Sequence, residues 1–233
     1  MAGQHYYLLA ALPALGELGV APPLTREEFS RAVAEANGPA EVVRALLLSD
    51  DLMQREAILT GEIEPDNLDL AVLTPAQARG EAPLPAKIAP EENDDQAEAP
   101  RAGRDAAWAA YFAHADAVAR QTRSTFLRAW VGYEVALRNS LAVERAKTLG
   151  LEPGEYVTAP HLADLDVDVS EVLADWSAAE DPLAALRVLD QARWEWLRQR
   201  EAWFSFVDGE LAVYAARLML LHRWRRLGTE RKK

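Results

Sequence analysis

The chain has 233 residues, half of them apolar, and it carries 25 basic and 37 acidic side chains, a formal net charge of −12. This charge disfavours nonspecific binding to nucleic acid or anionic lipid as the main activity, while the apolar half suffices for a sizeable core. The absence of cysteine excludes a disulfide framework, a thiolate nucleophile and a cysteine-based zinc site. The composition favours a soluble cytoplasmic protein.

The first third of the chain carries helix signals. An apolar run at residues 6–12 is short and fits either a strand or two buried helical turns. Thr25, with Glu28 three residues later, has the pattern of a capping box and predicts that a helix begins there. Asn37-Gly38-Pro39 predicts the end of that helix and the start of another, which we expect to reach about Leu59.

Residues 79–104 differ in composition from the rest of the chain. They hold four prolines and many carboxylates, and their only large apolar side chains are Leu84 and Ile88. Such a stretch buries too little apolar surface to offset the entropy lost on ordering, so we expect a mobile linker. The predicted organisation is an N-terminal helical part at 1–78, an acidic proline-rich linker at 79–104 and a long-helix bundle at 105–233.

The strongest pattern lies at residues 105–149, which contain no proline and one glycine, Gly132. Core-type residues recur there at alternating four- and three-residue steps, as from Trp108 to Tyr133, which predicts a single helix about 65 Å long. A helix of that length needs an equally long partner, because short neighbours cannot cover its apolar face.

A second helical tract is predicted from Pro182 to about residue 227, with Asp181 as its N-cap and a break near residues 204–209. We interpret the basic cluster at 222–226 as the last turn of a helix, where positive charge meets the negative end of the dipole. Antiparallel packing of the two tracts predicts an all-α fold, a long antiparallel helical hairpin or bundle with short helices at one end and a smaller N-terminal helical part.

Motifs that carry chemistry are scarce. Asp164, Asp166 and Asp168 have the spacing of a calcium-binding loop, but Val169 stands where the sharp turn requires glycine. They belong to residues 152–181, which hold nine acidic residues and no lysine or arginine, so we expect a solvated acidic face. The four histidines lack ligand spacing, and no phosphate loop or nucleophile elbow is visible. We therefore expect no enzymatic activity, no metal and no cofactor.

A resemblance to a known family enters at residues 133–151. They resemble the helix end in the C subunit, also called d, of V/A-type rotary ATPases. In that family an asparagine is followed six residues later by Arg-x-Lys and then by a Leu-Gly or similar ending. Asn139, Arg145, Lys147 and Leu149-Gly150 fill those places in this chain.

Two further segments carry the resemblance. Residues 210–221 are similar to the last helix of the C subunit, although Met219 and Leu221 replace its glutamate pair and Ala136 replaces an acidic residue before the asparagine. The opening at residues 6–13 resembles an uncharacterised bacterial family whose genes lie beside V-type ATPase genes and which is similar to a shortened C subunit.

The resemblance implies a non-catalytic, socket-like subunit that links the central shaft of a V/A-type ATPase to its membrane ring. Its partners would be the other ATPase subunits, with no nucleic acid and with membrane contact only through those partners, at the cytoplasmic or inner membrane face. We expect residues 152–181 to meet a basic partner surface. The predicted partner-interface residues are Arg138, Asn139, Arg145, Lys147, Asp164, Asp166 and Asp168.

Two other classes fit the sequence. A free-standing helical adaptor or assembly factor would share every compositional feature and would differ only in the partners with which it copurifies. A small hydrolase or nucleic-acid-binding protein would require carboxylates with shifted pKa values clustered in a pocket, or a continuous basic groove.

Overall fold

A computed structural model describes residues 5–64, 66, 68–89, 100–201 and 207–230. In these residues all regular structure is helical, without a strand, which confirms the all-α fold class. The α-helices are α1 (Tyr6–Ala11), α2 (Arg26–Glu35), α3 (Ala40–Leu59), α4 (Pro75–Ala78), α5 (Pro100–Thr122), α6 (Thr125–Thr148), α7 (Ser170–Ser177), α8 (Pro182–Arg198) and α9 (Asp208–Glu230), with short 3-10 helices at Pro153–Tyr156 and Pro160–Leu162.

The capping box predicted at the start of α2 is present. The Thr25 hydroxyl accepts a hydrogen bond from the Glu28 N–H at 3.1 Å, and the Glu28 carboxylate accepts one from the Thr25 N–H at 2.8 Å. These bonds satisfy two N–H groups that a helix start leaves without partners. Helix α2 buries Phe29 and Val33 completely. The cap therefore fixes where the helix begins, and the packing of these two side chains in the core holds the helix in place.

The prediction of one 65 Å helix is wrong, because the chain reverses between α5 and α6. Arg123 has φ = +57°, the left-handed conformation in which many helices end. The Ser124 N–H donates to the Ala119 carbonyl at 2.9 Å, as in a Schellman motif. The Ser124 hydroxyl then caps α6 by accepting from the Leu127 N–H at 3.2 Å. A helix stop and a helix start thus occupy adjacent residues.

Helices α5 and α6 form an antiparallel hairpin. The Arg138 guanidinium on α6 lies 4.5 Å from the centre of the Trp108 ring on α5 and 3.8 Å from the Asp105 carboxylate. Each helix has 23 or 24 residues and is therefore about 35 Å long. Part of the apolar stripe that was expected to need another long helix is covered by the other half of the same segment.

Helix α3 lies between α5 and α9. The Tyr111 hydroxyl on α5 donates to the Ala45 carbonyl at 3.1 Å, and the Trp108 indole N–H donates to Glu56 at 3.0 Å, so α3 and α5 run in opposite directions. On its other side, α3 contacts α9 where the Ser49 hydroxyl meets the Met219 sulfur at 3.5 Å. The α3 residues that face these neighbours are among the most deeply buried of the described chain.

The helices before residue 79 and those after residue 104 contribute to one apolar core. Leu84 and Ile88, expected in a mobile linker, are buried in that core with exposed fractions of 9% and 1%. Residues up to 89 therefore pack on the protein, and residues 90–99 of the predicted linker lie outside the described residues. The division into 1–78, 79–104 and 105–233 stays a prediction.

Helix α8 begins as expected: the Asp181 carboxylate accepts from the Ala184 N–H at 2.7 Å, and Pro182 occupies the first turn. The second helical tract, predicted from Pro182 to about residue 227, is divided between α8 and α9. Of the segment where the break was expected, residues 204–206 lie outside the described residues. No helix in the described part of the chain combines the length and apolar character that crossing a bilayer requires.

Arg123→Gly should raise the free energy of unfolding by about 1 kcal/mol, because glycine adopts a positive φ without the steric clash of an L side chain. Denaturant unfolding followed by circular dichroism measures the change. Arg128→Gly is the matched control, since Arg128 is exposed inside α6 and glycine there should lower stability by about 1 kcal/mol. A destabilised Arg123→Gly protein would contradict the described turn.

Candidate functional site

The predicted interface residues on the inner half of α6 already have partners inside the protein. Arg138 stacks on Trp108, and burial lowers the pKa of its guanidinium. Asn139 is buried, and its amide makes two hydrogen bonds to the backbone of Thr158, donating to the carbonyl at 3.0 Å and accepting from the N–H at 2.7 Å. Asn139 thus fixes the segment that follows α6 against the helix.

The two predicted residues near the end of α6 are exposed. The Arg145 guanidinium lies 5.1 Å from the centre of the Trp176 ring on α7, and the Lys147 ammonium lies 3.8 Å from the Glu144 carboxylate. An exposed ion pair of this kind adds little to stability. Both cations therefore remain accessible to a partner.

The three predicted aspartates lie in the loop before α7, which packs on α6. The Asp164 N–H donates to the Gly132 carbonyl at 3.1 Å, and a Cβ on Gly132 would come within 3.0 Å of the Asp164 Cβ. This close approach explains the glycine inside α6. Asp164 accepts from the Asp166 N–H, and hydrogen bonds from the Ser170 hydroxyl and N–H lower the pKa of Asp168. In the described chain no three or more acidic or histidine groups are arranged to hold a metal.

A groove of about 940 Å³ runs between this loop with α7 on one side and α8 on the other. Its aromatic lining residues are Tyr133, Trp196 and Trp224, which we call its floor, and Leu18 also lines it. We call it the acidic groove. Its charged lining residues are Asp166, Asp168, Glu171, Asp175, Arg187, Glu195 and Arg200. The structure thus brings two of the predicted residues to one groove, and the other five do not line it.

Negative charge predominates in the acidic groove, with five carboxylates against two arginines. Both arginines lie against tryptophans: the Arg200 guanidinium is 3.7 Å from the centre of the Trp196 ring, and the Arg187 guanidinium is 5.4 Å from that of Trp224. Cation–π contact holds them along α8. The charged lining residues of the opposite wall, the loop and α7, are all carboxylates.

Tyr133 reaches the acidic groove from the interior. Its ring is stacked on Trp196 with 5.1 Å between centroids, and only 4% of the residue is exposed. Burial raises the pKa of its hydroxyl, which therefore stays protonated.

A second feature, which the sequence did not predict, is a set of ion pairs inside the helix layer. We call it the buried charge network. At its centre Asp50 of α3, with no exposed surface, accepts from Arg26 at 2.7 Å, Arg223 at 3.1 Å and Arg226 at 2.7 Å. Burial alone would raise the pKa of Asp50, but the three guanidinium groups hold it well below its usual value of 3.8.

The network extends from Asp50 to two further helices. Arg223 also donates to Asp190 of α8 at 2.8 Å, and Asp190 accepts from Arg193 at 3.1 Å. Arg193 in turn binds both carboxylate oxygens of Glu134 on α6, at 2.7 Å and 3.0 Å. Ion pairs therefore connect α2, α3, α6, α8 and α9, which are distant in sequence.

Asp51 and Asp69 complete the network beside α3. Asp51 accepts hydrogen bonds from the backbone N–H groups of residues 71–73, although burial raises its pKa to about 6. Burial alone would also raise the pKa of Asp69, but His222 and Arg26 bring it below its usual value. These contacts join the loop after α3 to α2, α3 and α9.

The interpretation of residues 222–226 as a last helical turn is wrong. Helix α9 continues to Glu230, and His222 and Arg223 are each 5% exposed. The sequence feature that could have predicted the buried charge network is Asp50. It lies three and four residues after the buried Leu47 and Leu46, on an apolar stripe. A carboxylate at such a position requires buried cations.

The network is separate from the groove. None of its residues lines the acidic groove, and Glu134, Arg193 and Arg223 line instead a cavity of about 20 Å³. That space is about the size of one water molecule and holds no substrate. The carboxylates of the buried charge network are therefore not gathered around a ligand-sized pocket.

Known proteins give no further guide to the site. No family model, no curated protein and no solved structure matches the chain.

Asp50→Asn should lower the free energy of unfolding by about 3–5 kcal/mol, because it leaves two buried guanidinium groups and the half-buried one of Arg226 without their shared anion. In the wild type, the Asp50 contribution is present above pH 3.8 and is lost as the pH falls below it, since folding depresses this pKa. Denaturant unfolding between about pH 6 and pH 3 should therefore show a smaller acid-induced loss in Asp50→Asn. Glu195→Gln, which breaks an exposed pair, should leave both quantities unchanged.

Asn139→Ala should lower the free energy of unfolding by about 2–3 kcal/mol, because the buried N–H and carbonyl of Thr158 lose their partners. Lys147→Ala, at an exposed residue of the same helix, should change it little. Thermal and denaturant unfolding compare the two variants. Equal stabilities would show that Asn139 does not fix the segment after α6.

Proposed function

We propose that this protein is a non-catalytic helical subunit of a V/A-type rotary ATPase that links the central shaft to the membrane ring. It docks on a basic surface of another subunit through the loop at residues 164–168 and helix α7. The proposal joins the resemblance of residues 133–151 and 6–13 to the charge on that face.

The observation that carries the proposal is the acidic wall of the groove. Asp166, Glu171 and Asp175 are exposed, and in the described residues none forms an ion pair with a lysine or arginine of the same chain. Residues 152–181 contain no lysine or arginine that could neutralise them. An unneutralised acidic face attracts a basic partner and sets its orientation.

A coupling subunit must also resist deformation, and the buried charge network supports this property. Three of its ion pairs, Asp50–Arg223, Asp190–Arg223 and Glu134–Arg193, each join two helices, and removing one member leaves an uncompensated buried charge. A relative movement of α6, α8 and α9 would separate these pairs. The stiffness that the proposal requires thus comes from the α5–α6 hairpin and the buried ion pairs, and not from two long helical tracts packed side by side.

A pull-down from the native host followed by mass spectrometry tests the proposal. The tagged wild type should capture V/A-type ATPase subunits. Asp164→Asn, Asp166→Asn and Asp168→Asn combined should reduce that capture by about tenfold, because complementary charge chiefly accelerates association. Glu27→Gln, Glu62→Gln and Glu64→Gln combined is the matched control, with the same change in net charge at exposed residues elsewhere.

The outcomes separate the alternatives. Capture of other proteins without ATPase subunits would indicate a free-standing adaptor and would reject the ATPase assignment. Capture of ATPase subunits that the aspartate variant leaves unchanged would reject the docking face.

A further inference from the structure

The acidic groove is elongated along one helix. Its α8 lining residues begin at Arg187, end at Arg200 and recur every three or four positions, so they form one stripe of the helix and its end. Thirteen helical steps of 1.5 Å give a length of about 20 Å. A helix of about fourteen residues has the same length, whereas a compact small molecule would occupy only part of the stripe.

The two sides of the groove differ in chemistry. The apolar lining residues include Val172 and Val188 besides the three aromatic side chains, whereas Glu171 and Asp175 of α7 give that wall its negative charge. An occupant that matches both must be apolar on one face and basic on the adjoining face. An amphipathic helix with lysine or arginine beside its apolar stripe meets this requirement.

One buried polar group of a groove-lining residue points independently to an occupant. The Trp224 indole N–H is buried and has no hydrogen-bond partner in the described part of the chain. Buried polar groups are ordinarily hydrogen-bonded, so an unpaired one beside the groove points to a polar partner that an occupant would supply.

We propose that the acidic groove binds a basic amphipathic helix of a protein partner, with its apolar face on Tyr133 and Trp196 and its basic side chains against Glu171 and Asp175. The inference rests on the proposed function to the extent that Asp166 and Asp168 belong to both sites. It adds the form of the partner segment. A second copy of this chain is disfavoured as the occupant, because each copy has a net charge of −12.

The probe is a fluorescein-labelled 14-residue peptide of leucine and lysine with leucines at helical spacing, and binding is measured by fluorescence anisotropy at two salt concentrations. The wild type should bind it and should not bind the same pattern made with glutamate. Ala192→Trp fills the groove and should weaken binding at least tenfold. Glu171→Lys with Asp175→Lys, at exposed residues, should do the same.

Glu62→Lys with Glu64→Lys is the matched control, because it changes the net charge equally outside the groove and should leave binding within twofold. Equal weakening by this control, or unchanged binding to folded Ala192→Trp, would overturn the inference. So would sedimentation showing a wild-type dimer that Ala192→Trp converts to a monomer, because the occupant would then be a second copy.

The peptide assay and the pull-down fail independently. Groove-dependent peptide binding without capture of ATPase subunits supports the helix site and rejects the proposed function. Capture of ATPase subunits by a protein whose groove does not bind the peptide rejects the helix site alone.

Discussion

The arrangement of the helices depends on the neutralisation of Asp50. This carboxylate has no exposed surface, and an uncompensated charge at such a site costs several kcal/mol. Arg26 from α2 and Arg223 and Arg226 from α9 all donate to it. Helices α2 and α9 must therefore pack on α3 so that these guanidinium groups reach the Asp50 carboxylate. The rest of the buried charge network extends this constraint to α6 and α8.

The pairing of arginines with carboxylates in the interior contrasts with the exposed acidic residues on one part of the surface. Four arginines are engaged by carboxylates inside the helix layer, while the loop and helix that form one wall of the groove contain no basic residue. Charges in the interior are thus paired, whereas Asp166, Glu171 and Asp175 on this wall are exposed. A face of this kind orients an approaching basic surface, which is a requirement of a docking subunit.

Helix α8 connects the interior to that face. Asp190 and Arg193 belong to the buried charge network, whereas Ala192 and Glu195 line the acidic groove. A partner seated in the groove would therefore contact a helix whose position is fixed by ion pairs to α6 and α9. A force applied at the surface would be transmitted to those helices with little local deformation, because moving α8 alone would break buried ion pairs.

The sequence by itself determined the features that depend on neighbouring residues. The caps at Thr25 and Asp181 join groups three residues apart, and the acidic face at 152–181 follows from composition. The hairpin turn was missed, because an arginine in the left-handed conformation leaves no signal of the kind that glycine leaves. Only the tertiary structure decided that Asp50 pairs with Arg226, 176 residues away, since no local pattern specifies which buried charges meet. It also decided that the acidic loop faces α8 across a groove, because that depends on how the helices pack.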